Sequence, residues 1–181
     1  WMNVSDGERG SAGISVLWPD VNNETFRDAL RDAESSDKPN NISPAIVYSL
    51  DEGVRALWLG DMENDYMEAI EDDIALSPVD ILFAPHHGRK SGRVPKTWLD
   101  KLAPRLIVVG KAPSDELEYY SNYNTLTQNS AGDILFCCEA GKTHVYVGSP
   151  SYSVNFLDRD PNASVVKGSL YYLCSFDCGD R

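Results

Sequence analysis

Long apolar runs are missing from this sequence of 181 residues, and none approaches the ~18 consecutive residues of a membrane-spanning helix. The first dozen residues are rich in Gly, Ser and Asp and lack the hydrophobic stretch of a secretory signal. Cysteine is scarce. Cys137, Cys138, Cys174 and Cys178 show no spacing of a disulfide framework, so a reducing, cytoplasmic compartment is expected. Basic charge is short as well: 16 Lys and Arg face 28 Asp and Glu, for a net charge of −12. A surface of that sign repels phosphate backbones, and contact with nucleic acid then requires a local basic patch, a bound cation or a partner chain. Histidine is rarer still, with three in the chain and none before His86.

What is present suits a packed domain, or a large part of one, because 42% of the residues are apolar. The chain opens on Trp1 and not on Met, which reads as a processed product, a trimmed chain or one part of a longer polypeptide. Residues 1–12 read as a flexible loop. Strands are expected at Ile14–Trp18, Val79–Phe83 and Leu106–Val109, and hairpins over 45–59 and 134–147. Helices are expected at Glu24–Ala33, over 62–76 from the spacing of Met62, Tyr66, Met67, Ile70 and Ile74, and at Pro95–Leu102. Residues 110–124 read as a long loop or short helix, 148–165 as a loop, and Ser169–Phe176 as an added strand. The order is that of an α/β layered fold. Cys137 and Cys138 read as buried strand residues. Cys174 and Cys178 have the spacing of half a metal knuckle, but no second pair follows them.

Two strand ends carry chemistry. Leu59-Gly60-Asp61 puts a carboxylate at the C-terminal end of an apolar strand, where ligands of α/β sheets usually bind. About 25 residues later, Ala84-Pro85-His86-His87-Gly88 puts two imidazoles at the same kind of position, before a glycine that lets the chain turn sharply. One imidazole can bind a metal while the other faces substrate or supports the first. An aspartate and a histidine form a mixed oxygen and nitrogen site suited to zinc or manganese. The densest basic cluster, Arg89, Lys90, Arg93 and Lys96, follows directly.

With these motifs in order, the segment 13–147 resembles the C-terminal half of the metallo-β-lactamase-fold domain of ComEC-type DNA-uptake proteins and their free-standing relatives. Val16-Leu17-Trp18-Pro19, Asn41-Ile42-Ser43 before a strand, Leu57-Trp58-Leu59-Gly60-Asp61, Val79 to Gly88 with Ser91, and the strand after Pro104 each look like a piece of that family. The resemblance implies a metallo-β-lactamase-like αββα sandwich, of which residues 13–148 are the C-terminal part, with 149–181 as a loop and an additional strand. It implies a hydrolase with two divalent metal ions, zinc or manganese, acting most plausibly on a phosphodiester, as a nuclease does. Asp61 would bridge the metals and His87 would ligate one of them. His86, Ser91 and Lys111 would contact substrate.

The family's main ligand motif, His-x-His-x-Asp-His, belongs in the N-terminal half and is not in this chain. His144 reads as an ordinary strand residue. A Tyr-x-His-Pro-like segment is replaced by Tyr119-Tyr120-Ser121-Asn122-Tyr123, where a tyrosine or Lys111 would have to substitute. Three explanations stay open. In the first, the remaining ligands lie on a missing half or second polypeptide, through which nucleic acid would be reached; in the second, the domain is a non-catalytic interaction or regulatory module that has lost its site; in the third, the resemblance is misleading.

Overall fold

Alternating residues of Ala45–Ser49 (β3) and Arg55–Trp58 (β4) build an antiparallel pair in which Val47 faces Leu57 and Ile46 faces Trp58. The Val47 and Leu57 side is almost completely buried, whereas Trp58 on the other side is 38% exposed. This pair is the centre of a seven-stranded sheet in sequential order. The computed structural model describes residues 3–6, 10–157 and 164–179. Asn3–Asp6 (β1), Gly10–Trp18 (β2), β3 and β4 run antiparallel. Ile81–Phe83 (β5), Leu106–Val109 (β6) and Thr125–Thr127 (β7) then add in parallel with β4.

Parallel neighbours need crossovers, and these carry helices. Asn64–Ala69 (α2) links β4 to β5, Lys96–Leu102 (α3) links β5 to β6, and a 3-10 stretch at Ser114–Tyr120 precedes β7. Together with Glu24–Ser36 (α1), capped by the Asn23 side chain, they cover one face of the sheet. Trp18, Leu57, Met67, Leu82, Trp98 and Tyr120 form the core there. The chain is therefore a mixed α/β structure, as expected. Gln128–Ala131 (α4) leads into a second, antiparallel sheet made of Ile134–Glu139 (β8), Lys142–Val147 (β9), Val166–Lys167 (β10) and Leu170–Asp177 (β11).

This second sheet covers only part of the other face. The row Val16, Ile46, Trp58, Phe83, Val108 and Leu126 crosses the large sheet through paired positions. Its β6 and β7 end is buried against Val145, Cys174 and Phe176. Its β2 to β4 end is not, and neither is the adjacent Ile14, at 37% exposure.

Several expectations need correction. Residues 3–6 and 10–12 are strand, not loop; 1–2 and 7–9 lie outside the described residues. The helix expected over 62–76 stops at Ala69 and continues as turns. Glu71, Asp72 and Asp73 place three carboxylates at its C-terminal end, where the helix dipole disfavours them. Even so, Met62, Ile70 and Ile74 stay buried. The strand β7 and the helix α4, both short, fall where no element was expected. Cys137 and Cys138 are only half-buried, because β8 is an edge strand. Residues 148–157 are loop as expected, while 158–163 and 180–181 lie outside the described residues. Among the described residues no helix is long and apolar enough to cross a membrane.

The buried carboxylate of Asp80 accepts from the Arg55 backbone N–H at 2.9 Å and sits 3.0 Å from Arg105 Nε. Asp80→Ala is expected to cost about 3 kcal/mol, the low end for a broken buried ion pair because Arg105 is one-third exposed. Equilibrium urea unfolding measures this, and Lys96→Ala, which breaks a fully exposed pair with Asp100, serves as a silent control.

Candidate functional site

The ends of β4, β5 and β6 lie side by side, and each is followed by a sharp change of direction. After β4, Gly60 adopts φ +60°, and a β-carbon there would fall 2.6 Å from Ser43 Cβ. The Ser43 hydroxyl accepts from the Asp61 N–H at 3.0 Å, and Asn41 Oδ1 accepts from the Glu63 N–H at 3.0 Å. The Asn41-Ile42-Ser43 segment thus clamps the loop that carries Asp61.

After β5 the chain takes an uncommon path. His86 (φ 50°, ψ 39°), His87 (φ 60°, ψ 12°) and Gly88 (φ 87°) all lie in the left-handed region. Two such non-glycine residues cost on the order of 1–3 kcal/mol each and persist only when the surroundings fix them. Here the His86 N–H donates to the Gly60 carbonyl at 2.9 Å, and the Ala84 N–H to Val108 O at 2.9 Å. Gly92 and Gly110 allow the close approach: β-carbons on them would lie 2.6 Å from His86 Cβ and 2.7 Å from His87 Nδ1.

This turn sends the two imidazoles apart. His87 and Asp61 line one cavity of about 440 Å³, walled by Trp58, Phe83, Phe136 and Gln128. Trp58 and Phe83 stack there with centroids 4.5 Å apart. His86 lines a second cavity of about 600 Å³ with Ser91, Arg89, Lys90, Glu63 and Glu116. Ser91 Oγ lies 3.1 Å from His86 Nδ1. Thus the structure brings Asp61 together with His87, and His86 together with Ser91. Lys111 is exposed beyond Gly110 and lines neither cavity. No protein-family model matches the chain, and no curated protein does either.

The basic cluster divides. Arg93 lies 5.0 Å over the Tyr119 ring and Lys96 pairs with Asp100, which leaves Arg89 and Lys90 at the second cavity. The tyrosines do not take the place of the missing histidine in either cavity. Tyr119 donates to Val94 O at 2.8 Å and Tyr120 accepts from the Val94 N–H at 3.1 Å, and burial pushes the Tyr120 hydroxyl well above the usual phenol range. His144 is in strand β9, 3.3 Å from Glu139 Oε1. Cys174 and Cys178 are buried, with Cys178 Sγ 3.6 Å from Thr143 Oγ1. Among the described residues no group of three or more His, Cys, Asp or Glu could hold a metal ion. One carboxylate and one imidazole supply too few donors for two metals, so the described residues of this chain do not by themselves fit a dinuclear centre.

Sequence reasoning missed Trp58, Phe83, Gln128 and Gly110 as parts of the site. Trp58 and Phe83 are paired strand-end residues, and that pairing shows only once the parallel register is known. Gly110→Ala is expected to displace the His87 ring and cost roughly 1–3 kcal/mol through overpacking. Imidazole NMR resonances check it: those of His87 should move while those of His144 stay in place.

Proposed function

We propose that this chain is the C-terminal half of a metallo-β-lactamase-type hydrolase related to the ComEC domain, and that Asp61 and His87 are its share of a metal centre completed by a second half or polypeptide. The convergence of Asp61 and His87 on one cavity, at the ends of neighbouring parallel strands, carries this reading. Strand-end crevices are where α/β sheets bind ligands. The phosphodiester as the bond hydrolysed comes from the family resemblance; the adjoining cavity sets His86, Arg89, Lys90 and Ser91 beside the carboxylates of Glu63, Asp65 and Glu116, so its lining is of mixed sign.

The partly exposed strip of Ile14, Val16, Ile46 and Trp58 supports the same reading. It continues the face on which the second sheet already packs and leads directly to the Asp61 cavity. A complementing sheet seated there would bring its own ligands to Asp61 and His87 and complete the αββα sandwich. The two-donor set favours one other reading, a non-catalytic module that keeps the fold without the site.

Metal analysis separates the two. The chain alone is expected to take up little zinc or manganese. With the complementing half, uptake becomes stoichiometric and Asp61→Ala abolishes it; an assembled complex without metal leaves the interaction module. Tight binding of two metals by this chain alone would overturn the split site. In a parallel pull-down, Trp58→Asp is expected to block assembly; because it also removes the stack on Phe83, it should cost the chain about 1 kcal/mol of its own stability, and urea unfolding checks that the variant is still folded.

A further inference from the structure

Four strands stand at the edges of the two sheets, and they are not equally open to further pairing. β1 is polar and pairs irregularly with β2, β7 has three residues, and β10 has two, one of them Lys167. Short, bulged or lysine-bearing edges resist the addition of another strand. β8 has none of these features. It runs for six residues without proline, lysine or a bulge, and Ile134, Phe136 and Cys138 turn their side chains toward the large sheet. The Gly148 N–H donates to Asp133 O at 2.8 Å, which puts the bonds to β9 on the odd-numbered residues of β8. The backbone N–H and C=O groups of Ile134, Phe136 and Cys138 therefore point away from β9, and among the described residues nothing pairs with them.

This open edge borders the partly exposed strip. Ile134 and Phe136 line the Asp61 cavity with Trp58, and Phe136 meets Phe83 edge-on with centroids 6.1 Å apart. Beyond Phe83, the paired positions Trp58, Ile46 and Val16 lie on three successive strands, about 10 Å across at the usual strand spacing. That width leaves room for added strands in the plane of the second sheet. We propose that β8 accepts a strand of the complementing half, which extends the second sheet over Trp58 and Ile46. The inference rests on the split-domain reading for whose strand it is. Backbone bonds would tie the strand to β8, and apolar side chains at every second position would cover the strip. Neutral or basic residues on its outer side would suit a chain of net charge −12. A second copy of this chain does not fit the same edge. Two β8 strands joined antiparallel about a two-fold axis would put both large sheets on one side of the joined sheet, where their β2 to β4 ends would collide.

Amide exchange by NMR on the full chain, without metal, tests the edge. In the chain alone, the Phe136 and Cys138 amides are expected to exchange at least roughly tenfold faster than those of Leu135 and Cys137, which bond to β9. The probe is an end-blocked peptide of the Lys142–Val147 sequence, the strand that β8 already accepts on its other side. In millimolar excess it should slow Phe136 and Cys138 several-fold, leave Leu135 and Cys137 unchanged and shift the Trp58 indole N–H resonance. The same peptide N-methylated at the positions of Thr143, Val145 and Val147 keeps every side chain and should lose the effect, with the protein itself unaltered. Slow exchange of Phe136 and Cys138 in the chain alone overturns the open edge. No change on adding the peptide, a shift at Trp58 with the Phe136 and Cys138 rates unchanged, or equal protection by the methylated peptide overturns strand addition. Such a failure would leave the shared metal centre standing, and an assembled complex that takes up no metal would leave the edge standing.

Discussion

A buried carboxylate at the start of β5 sets the register of three parallel strands. The Asp80 side chain accepts from the Arg55 N–H and faces Arg105, while its backbone N–H donates to Arg55 O and its carbonyl accepts from Leu106 N. One residue thus fastens β4, β5 and β6 at their N-terminal ends. Side chains alternate with a period of two, so a slip of one residue would exchange the two faces of the sheet. Fixing the strands at one end fixes where Gly60, Ala84 and Gly110 fall at the other. The meeting of Asp61 with His87 is a consequence of a contact at the far edge of the sheet.

At the site end, small residues and backbone bonds take over. Gly92 and Gly110 let the Ala84 to Gly88 turn approach closely, and the bond from the His86 N–H to Gly60 O joins the two loops. Together they offset the strain of two left-handed histidines. The adjacent His86 and His87 end in different cavities because of that backbone. An extended strand end would also send them to opposite sides, but without the sharp turn that puts the His86 ring beside Ser91.

Much of this was legible in the sequence. Alternation marked β3, β4, β8 and β9, and the apolar stretches before Asp61 and His86 marked the parallel strands. The strand-end positions of Asp61, His86 and His87 were legible, while the choice of Asp61 and His87 as ligands came from the family resemblance and not from the pattern. The rest depends on tertiary context. The periodicity of residues 62–76 reports a buried side whether or not the backbone stays helical, so Ile74 packs where α2 has already ended. Thr125-Leu126-Thr127 is too short to show a period, and becomes a strand because β6 offers it a free edge. The exposure of Trp58 follows from how far the second sheet reaches, which no local pattern encodes.

The partial cover of the large sheet also governs how the chain behaves on its own. Ile14 and Trp58 keep apolar surface wet on a sheet whose opposite face is dry at Val47 and Leu57. Burial of such a strip is favourable wherever a second apolar surface is available. Two copies meeting strip to strip would satisfy it in part, with mutual repulsion between net charges of −12 opposing them. The balance between those terms shifts with salt, because screening weakens the repulsion and leaves the apolar attraction in place.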